Sequence, residues 1–159
     1  MTIQVSVCGP RRATEADEQV AYEVGRLLAE RGVVVICGGG IGVMAAVAAG
    51  ARSRDGLVIG VRPNASRDGA SPDLTATIVT NMGEARNAII VWSADALIVI
   101  GGSWGTLSEL ALAKRRGGVP VVQIGGWRIL DTSGDEVPGI EFAATATEAV
   151  DLALHGLRQ

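Results

Sequence analysis

Aromatic side chains are scarce in this sequence: one Phe, one Tyr and three Trp among 159 residues, so a Trp beside a glycine loop stands out. Histidine occurs once, as His155, and cysteine twice, as Cys8 and Cys37, which is too few ligands for a zinc site. Each cysteine ends an apolar run just before glycine and is expected as a small, buried, reduced thiol. No apolar run reaches the roughly 20 residues that span a bilayer, so no membrane partner is expected. The start "MTIQVSVCG" shows neither a basic n-region nor a cleavage pattern, and a cytoplasmic protein is expected. Basic runs stop at "KRR", Lys114 to Arg116, and the net charge is −3, which argues against an extended nucleic-acid surface. The absence of G-K-[ST] argues against a P-loop triphosphatase.

Hydrophobic residues, at 48%, are abundant for a chain with 19% charged residues. Part of that surface is expected to be covered by further copies, as a homodimer or homotetramer. The length fits one domain, residues 1–159, with no room for separate cofactor and substrate domains. Apolar, β-branched runs at Ile3–Val7, Val33–Ile36, Leu57–Val61, Thr77–Val79, Ala96–Ile100 and Val119–Ile124 read as strands. Several lack apolar/polar alternation, as strands covered on both faces should. Between them lie helical patterns. Thr14 with Asp17 makes a capping box, Val20, Val24, Leu27 and Leu28 share a face, and Gly32 stops that helix. Met44 to Arg52 is small and Ala-rich, suited to close packing. Asn81 with Glu84 opens a helix through Trp92, Thr106 to Arg115 makes the next, and Thr145 with Glu148 opens the last, which ends near Leu157. The alternation predicts an α/β fold: a Rossmann-like, doubly wound parallel sheet with helices on both faces. Arg62 to Ser71 reads as a mobile loop over a site or a plain connection, and Gly125 to Gly139 as an extra hairpin or loop.

One pattern occurs twice. "ICGGGIGVMAAVAA" (Ile36 to Ala49) and "VIGGSWGTLSELALA" (Val99 to Ala113) each run from strand through glycines into a helix. In an open parallel sheet both turns fall at the carboxyl edge, where ligands bind and helix N-termini present free N–H groups. Gly38, Gly39, Gly40 and Gly42 can form one anion-binding turn, and Gly101, Gly102 and Gly105 the other, with the Thr106 hydroxyl as a further donor; the alternative is that the glycines only make tight strand-to-helix turns. Gly40-x-Gly42-x-x-Ala45 also fits a dinucleotide fingerprint, and Arg62 at the end of the next strand suits a 2′-phosphate. The chain length favours a mononucleotide-sized ligand. Only the second loop carries Thr106 and Glu109, where the first has Val43 and Ala46. Glu109 reads either as a dipole-matched surface residue of a first helical turn, or as an acceptor for ribose hydroxyls or a carboxylate that stabilises positive charge developing on a sugar ring. Arg86 lies at the same edge. Arg11 and Arg12 follow Gly9-Pro10 at the end of the first strand and read either as phosphate-facing residues or as solvent residues ahead of the helix, while Trp104 either stacks on a ring or packs against a partner.

"GGSWGTLSE" (Gly101 to Glu109), preceded by "GEARNAIIVWSADALIVI" and "GGGIGVM", resembles the Lonely Guy (LOG) and "lysine decarboxylase-like" superfamily. The resemblance covers roughly Ile3 to Val122. Gly102, Trp104, Gly105, Thr106, Leu107 and Glu109 fit the P-G-G-x-G-T-x-x-E motif in register, and Arg86 fits the first member of an Arg-Lys pair. Asn87 stands in place of the lysine, Gly101 of the proline and Ser103 of a glycine, and a helix histidine is missing. These departures bring the pattern closer to short bacterial members and to molybdenum cofactor carrier proteins. The resemblance implies a homo-oligomer binding a small phosphorylated ligand, with Glu109 and Arg86 as the catalytic pair of a nucleoside 5′-monophosphate phosphoribohydrolase. Gly9, Arg11, Gly39, Gly40, Gly42, Asn87, Gly102, Ser103, Trp104, Gly105 and Thr106 are the candidate ligand contacts. The resemblance implies no metal and no required cofactor; a nucleotide or the molybdenum cofactor is the candidate bound group. The alternative is a carrier or sensor that performs no chemistry.

Overall fold

The computed structural model describes residues 1–158. Seven strands form one sheet in the order β4-β3-β2-β1-β5-β6-β7, every neighbouring pair parallel. They are β1 (Gln4–Cys8), β2 (Val34–Cys37), β3 (Val58–Arg62), β4 (Ala76–Val79), β5 (Ala96–Ile100), β6 (Val121–Ile124) and β7 (Glu141–Ala143). Four α-helices lie between strands, α1 (Glu15–Glu30), α2 (Val43–Arg52), α3 (Asn87–Trp92) and α4 (Trp104–Arg116), and α5 (Ala146–His155) follows β7. This is the expected Rossmann-like fold.

The pleat sends alternate residues of each central strand into two cores. Val5, Val7, Ile98 and Ile100 meet α1, α2 and α5, while Cys8, Leu97 and Val99 meet α3 and α4. Burial on both faces explains why β5, "ALIVI", reads as a continuous apolar run with no polar alternation.

Thr14 caps α1 as expected, its hydroxyl accepting from the Asp17 amide at 3.1 Å while Asp17 returns the bond. Thr145 likewise accepts from the Glu148 amide, and the last helix runs on into a 3-10 turn at Gly156–Arg158. Three expectations need correction. Asn81 does not cap a helix: it takes φ 51°, a left-handed turn, and a 3-10 turn at Gly83–Arg86 precedes the six-residue α3. Thr106 is not the start of its helix; α4 begins two residues earlier at Trp104, capped by Ser103, so Glu109 lies beyond the first turn. A seventh strand, β7, follows the loop at 125–139, whose hairpin is reduced to one antiparallel bridge between Leu130 and Glu136. The loop after β3 is a tied connection, with the Ser71 amide donating to Gly39 O at 3.0 Å and the Gly83 amide to Pro63 O at 3.0 Å.

The small residues of α2 serve its approach to α1. A Cβ on Gly50 would sit 1.9 Å from the Tyr22 carbonyl oxygen, and one on Gly25 would sit 2.1 Å from the Val47 carbonyl oxygen. Glycine inside a helix costs about 1 kcal/mol relative to alanine, so in an open helix Gly50→Ala would stabilise. Here the two backbones would have to separate, and overpacking of this kind costs about 1–3 kcal/mol or more. Gly50→Ala is therefore expected to lower stability in urea unfolding; a gain would contradict the close helix contact.

Candidate functional site

Strand order reverses between β1 and β5, each of which is followed by a chain heading to a different face of the sheet. Such a switch point opens a crevice beyond the carboxyl ends of the strands. A cavity of about 770 Å³ lies there, walled by Gly9 to Arg12 after β1, by Ile41 and Met44, by Pro63, Gly83, Glu84, Arg86 and Asn87, and by Ser103, Gly105, Thr106 and Glu109 of α4 and its cap.

The two glycine loops do different work at this edge. Gly42 has φ 68°, and a Cβ there would strike the Pro10 and Arg11 carbonyl oxygens at 2.5 Å. The Val43 amide donates to Pro10 O at 3.2 Å, so the first loop is a shelf under the turn that follows β1. Gly38 provides the other half of that shelf, since a Cβ there would meet Arg86 Nη1 at 2.5 Å. The second loop opens α4. Ser103 Oγ accepts from the Thr106 amide at 3.2 Å and shares a hydrogen bond of 2.9 Å with Thr106 Oγ1. Helix geometry leaves the Trp104 and Gly105 amides without an intrahelical acceptor at the positive end of a 13-residue helix.

Arg86 reaches back across the sheet edge. Its Nη1 donates to Val61 O at 2.6 Å and Gly38 O at 3.1 Å, and its Nε is buried with no acceptor. The guanidinium is thus anchored to backbone carbonyls, and among the described residues it makes no direct ion pair with Glu109. Glu109 is 7% exposed. Burial pushes its carboxyl up from the usual 4.5 to about 7, only partly opposed by the charge of Arg86 and by the Cys8 thiol against it. Burial first, and then the neighbouring Glu109, raises Cys8 well above an ordinary thiol. Asn87, 6% exposed, donates from Nδ2 to Ser108 Oγ at 2.8 Å, and Ser108 Oγ donates to Gly105 O at 2.8 Å. This relay ties α3 to the first turn of α4. Ser6 Oγ of β1 donates to Ile90 O at 2.8 Å, which ties α3 to the sheet, and Arg116 Nη1 of α4 donates to Ala94 O, just after α3, at 2.7 Å.

Of the residues singled out in the sequence, the cavity brings together Arg86, Glu109, Asn87, Ser103, Gly105, Thr106, Gly9 and Arg11. Gly39, Gly40, Gly42, Gly102 and Trp104 lie outside its lining. Gly102 is covered by Trp127, and Trp104, 78% exposed, meets Trp127 edge-on with centroids 5.0 Å apart. Ile41, Met44, Pro63 and Glu84 line the cavity without having been singled out for it. Met44 and Ile41 flank the glycines of the first loop, so their position beside that loop was the available signal. No group of three or more His, Cys, Asp or Glu among the described residues is arranged to hold a metal ion.

The SLOG cluster4 family model matches residues 2–150. The chain belongs to the SLOG cluster4 family. This SLOG cluster4 chain is 43% identical over 140 residues to an uncharacterized protein of Archaeoglobus fulgidus, covering 85% of this chain and 92% of that one. It is 36% identical over 121 residues to the cytokinin riboside 5′-monophosphate phosphoribohydrolase of Mycobacterium tuberculosis, covering 71% of this chain but 65% of that enzyme. The solved structure of the molybdenum cofactor binding protein from Rippkaea orientalis superposes with a TM-score of 0.88 at 32% identity, covering 100% of this chain and 99% of that one. The resemblance drawn from "GGSWGTLSE" thus holds, on the side of both relatives it named.

A carboxyl that keeps its proton to about pH 7 when folded, and to 4.5 in an unfolded chain, makes the fold less stable as pH rises through that window. Glu109→Gln cannot ionise. In urea unfolding it is expected to exceed the parent by up to about 3 kcal/mol at about pH 8 and to match it at about pH 4. Equal stabilities at both would contradict a buried carboxylate without a counter-ion.

Proposed function

We propose that this protein binds a small phosphorylated molecule bearing a planar heterocycle, with the phosphate at the N-terminus of α4. The observation that carries this reading is the pairing of walls across the cavity. The α4 turn offers free amides and the Thr106 hydroxyl, and Arg11, Arg12 and Arg86 line the same space. Helix N-termini and guanidiniums are the two protein groups best suited to a phosphate dianion, and here they converge. The whole-length likeness to a molybdenum cofactor binding protein supports a carrier whose cargo is a phosphorylated pterin. The two free, buried cysteines support a reducing compartment such as the cytoplasm. Exposed apolar residues such as Trp92, at 63%, support a homodimer or homotetramer.

A second reading is favoured by Glu109 itself. Were a nucleoside 5′-monophosphate held by its phosphate, an ionised Glu109 would stabilise positive charge on the ribose as the C1′–N bond breaks and water adds, releasing base and ribose 5-phosphate. Asn87, bonded to Ser108, supplies no cation there. The likeness to the M. tuberculosis enzyme supports this reading over two thirds of the chain.

The phosphate reading is tested by titrating AMP against adenosine and GMP against guanosine by calorimetry. Each nucleotide is expected to bind at least about tenfold more tightly than its nucleoside, and Thr106→Val is expected to weaken the nucleotides by about tenfold. Equal affinity of nucleotide and nucleoside would overturn it. Incubation with the same nucleotides separates the two functions. Under the second reading, release of free base should rise with pH through about 7 as Glu109 ionises and vanish in Glu109→Gln; no release from any nucleotide leaves the carrier.

A further inference from the structure

We propose that the floor of the cavity reads a pair of adjacent N–H donors on the heterocycle, the 2-amino-4-oxopyrimidine edge common to guanine and pterins, with Glu109 and Asn87 Oδ1 as the acceptors. This rests on the phosphorylated-ligand reading above and names the ring that the ligand carries.

The orientation of Asn87 follows from its neighbour. Ser108 has one hydroxyl hydrogen, directed at Gly105 O at 2.8 Å, so its 2.8 Å contact with Asn87 must receive a hydrogen from the amide. That places Nδ2 on Ser108 and leaves Oδ1 as the free end of a side chain that lines the cavity. Glu109 follows Ser108 on α4 and lines the same cavity. Among the described residues no N–H or hydroxyl group donates to Glu109, whose neighbours are the weakly donating Cys8 thiol and the charge of Arg86. Neither the Glu109 oxygens nor Asn87 Oδ1 is among the sealed, partnerless atoms, which are Arg62 Nε, Arg86 Nε and Gln123 Oε1. Two buried residues therefore present acceptors to the cavity and receive no strong donor from the chain. Buried polar groups left in this state are expensive, so a bound molecule that supplies the donors gains their full worth.

The charge around them narrows the donor. Arg11, Arg12 and Arg86 line the cavity with Glu84 and Glu109, so a cationic ligand group would meet a net positive wall. Neutral N–H donors avoid that repulsion. A guanine or pterin ring presents an N–H beside an exocyclic amine, matching two acceptors, whereas adenine sets a ring acceptor beside its amine and would bring two acceptors together. Thr106 and Glu109, three apart on α4, share a helix face, so one ligand can meet the phosphate turn and the acceptors.

The test measures dissociation constants of the full chain for GMP, IMP, AMP, 2′-deoxy-GMP and a monophosphorylated pterin at about pH 8, where Glu109 is ionised. GMP is expected to bind about 10- to 100-fold more tightly than AMP, with IMP between them and the deoxy nucleotide equal to GMP. In Asn87→Leu and Glu109→Gln the ratio of GMP to AMP affinity should shrink towards one, and a cooperative urea transition of each variant reports that it folds. A pterin phosphate tighter than GMP assigns the edge to a pterin, and the reverse order to guanine. Equal binding of GMP and AMP overturns the proposal while leaving the phosphate site standing. Equal binding of those two with a loss for the deoxy nucleotide overturns it in favour of the ribose diol. Failure of every phosphorylated probe overturns the phosphate reading as well.

Discussion

The site depends on where Arg86 spends its hydrogen bonds. Its Nη1 is held by the Gly38 and Val61 carbonyls at the ends of β2 and β3, a seat that exists because residue 38 has no side chain. An arginine free to swing onto Glu109 would neutralise it and close the cavity floor with an ion pair. Anchored to the backbone, it acts on Glu109 only through space, too weakly to offset burial, and the carboxyl is left with a pKa of about 7. A buried acid in that condition costs stability, which a chain retains where a ligand makes use of it.

That constraint explains the doubled glycine loop. The first copy, Gly38 to Gly42, supports Arg86 on one side and the Pro10–Arg11 turn on the other, and its neighbours fill the space a side chain would need. The second copy, Gly101 to Gly105, leads into a helix whose first turn faces the cavity. Chemistry-bearing residues can appear only in the second, because Val43 and Ala46, the counterparts of Thr106 and Glu109, sit in α2 against α1 and the sheet. The first loop is a foundation that adds the apolar wall of Ile41 and Met44, and the second supplies the polar wall of the site.

Much of the fold was legible because its signals are local. The Thr14–Asp17 box and the Thr145 cap are short-range hydrogen bonds written in four residues. The central strands are apolar, largely β-branched runs buried on both faces, and the parallel sheet follows from the alternation of strands with helices. Where tertiary contacts decide, the reading failed. Asn81 and Glu84 have capping spacing, yet Asn81 turns left-handed because its amide and that of Gly83 are taken by Asn64 and Pro63 across the loop. The helix expected from Thr106 begins at Trp104 because Ser103 caps it, its side chain accepting from the Thr106 amide. β7, three residues long with one buried residue, is defined by β6 rather than by its own sequence. At the site, Glu109, Thr106 and Arg86 stood out by motif. The burial of Glu109, the Asn87–Ser108–Gly105 relay and the walls made by Ile41 and Met44 needed the packed helices.

The central claim, a buried carboxyl without a strong partner at a ligand edge, is tested most directly by carboxyl ¹³C NMR titration of Glu109. In the empty protein its midpoint is expected near 7, falling clearly when saturating GMP supplies donors to the ionised form. A midpoint at the ordinary 4.5 in the empty protein, or one unmoved by bound ligand, would contradict the account.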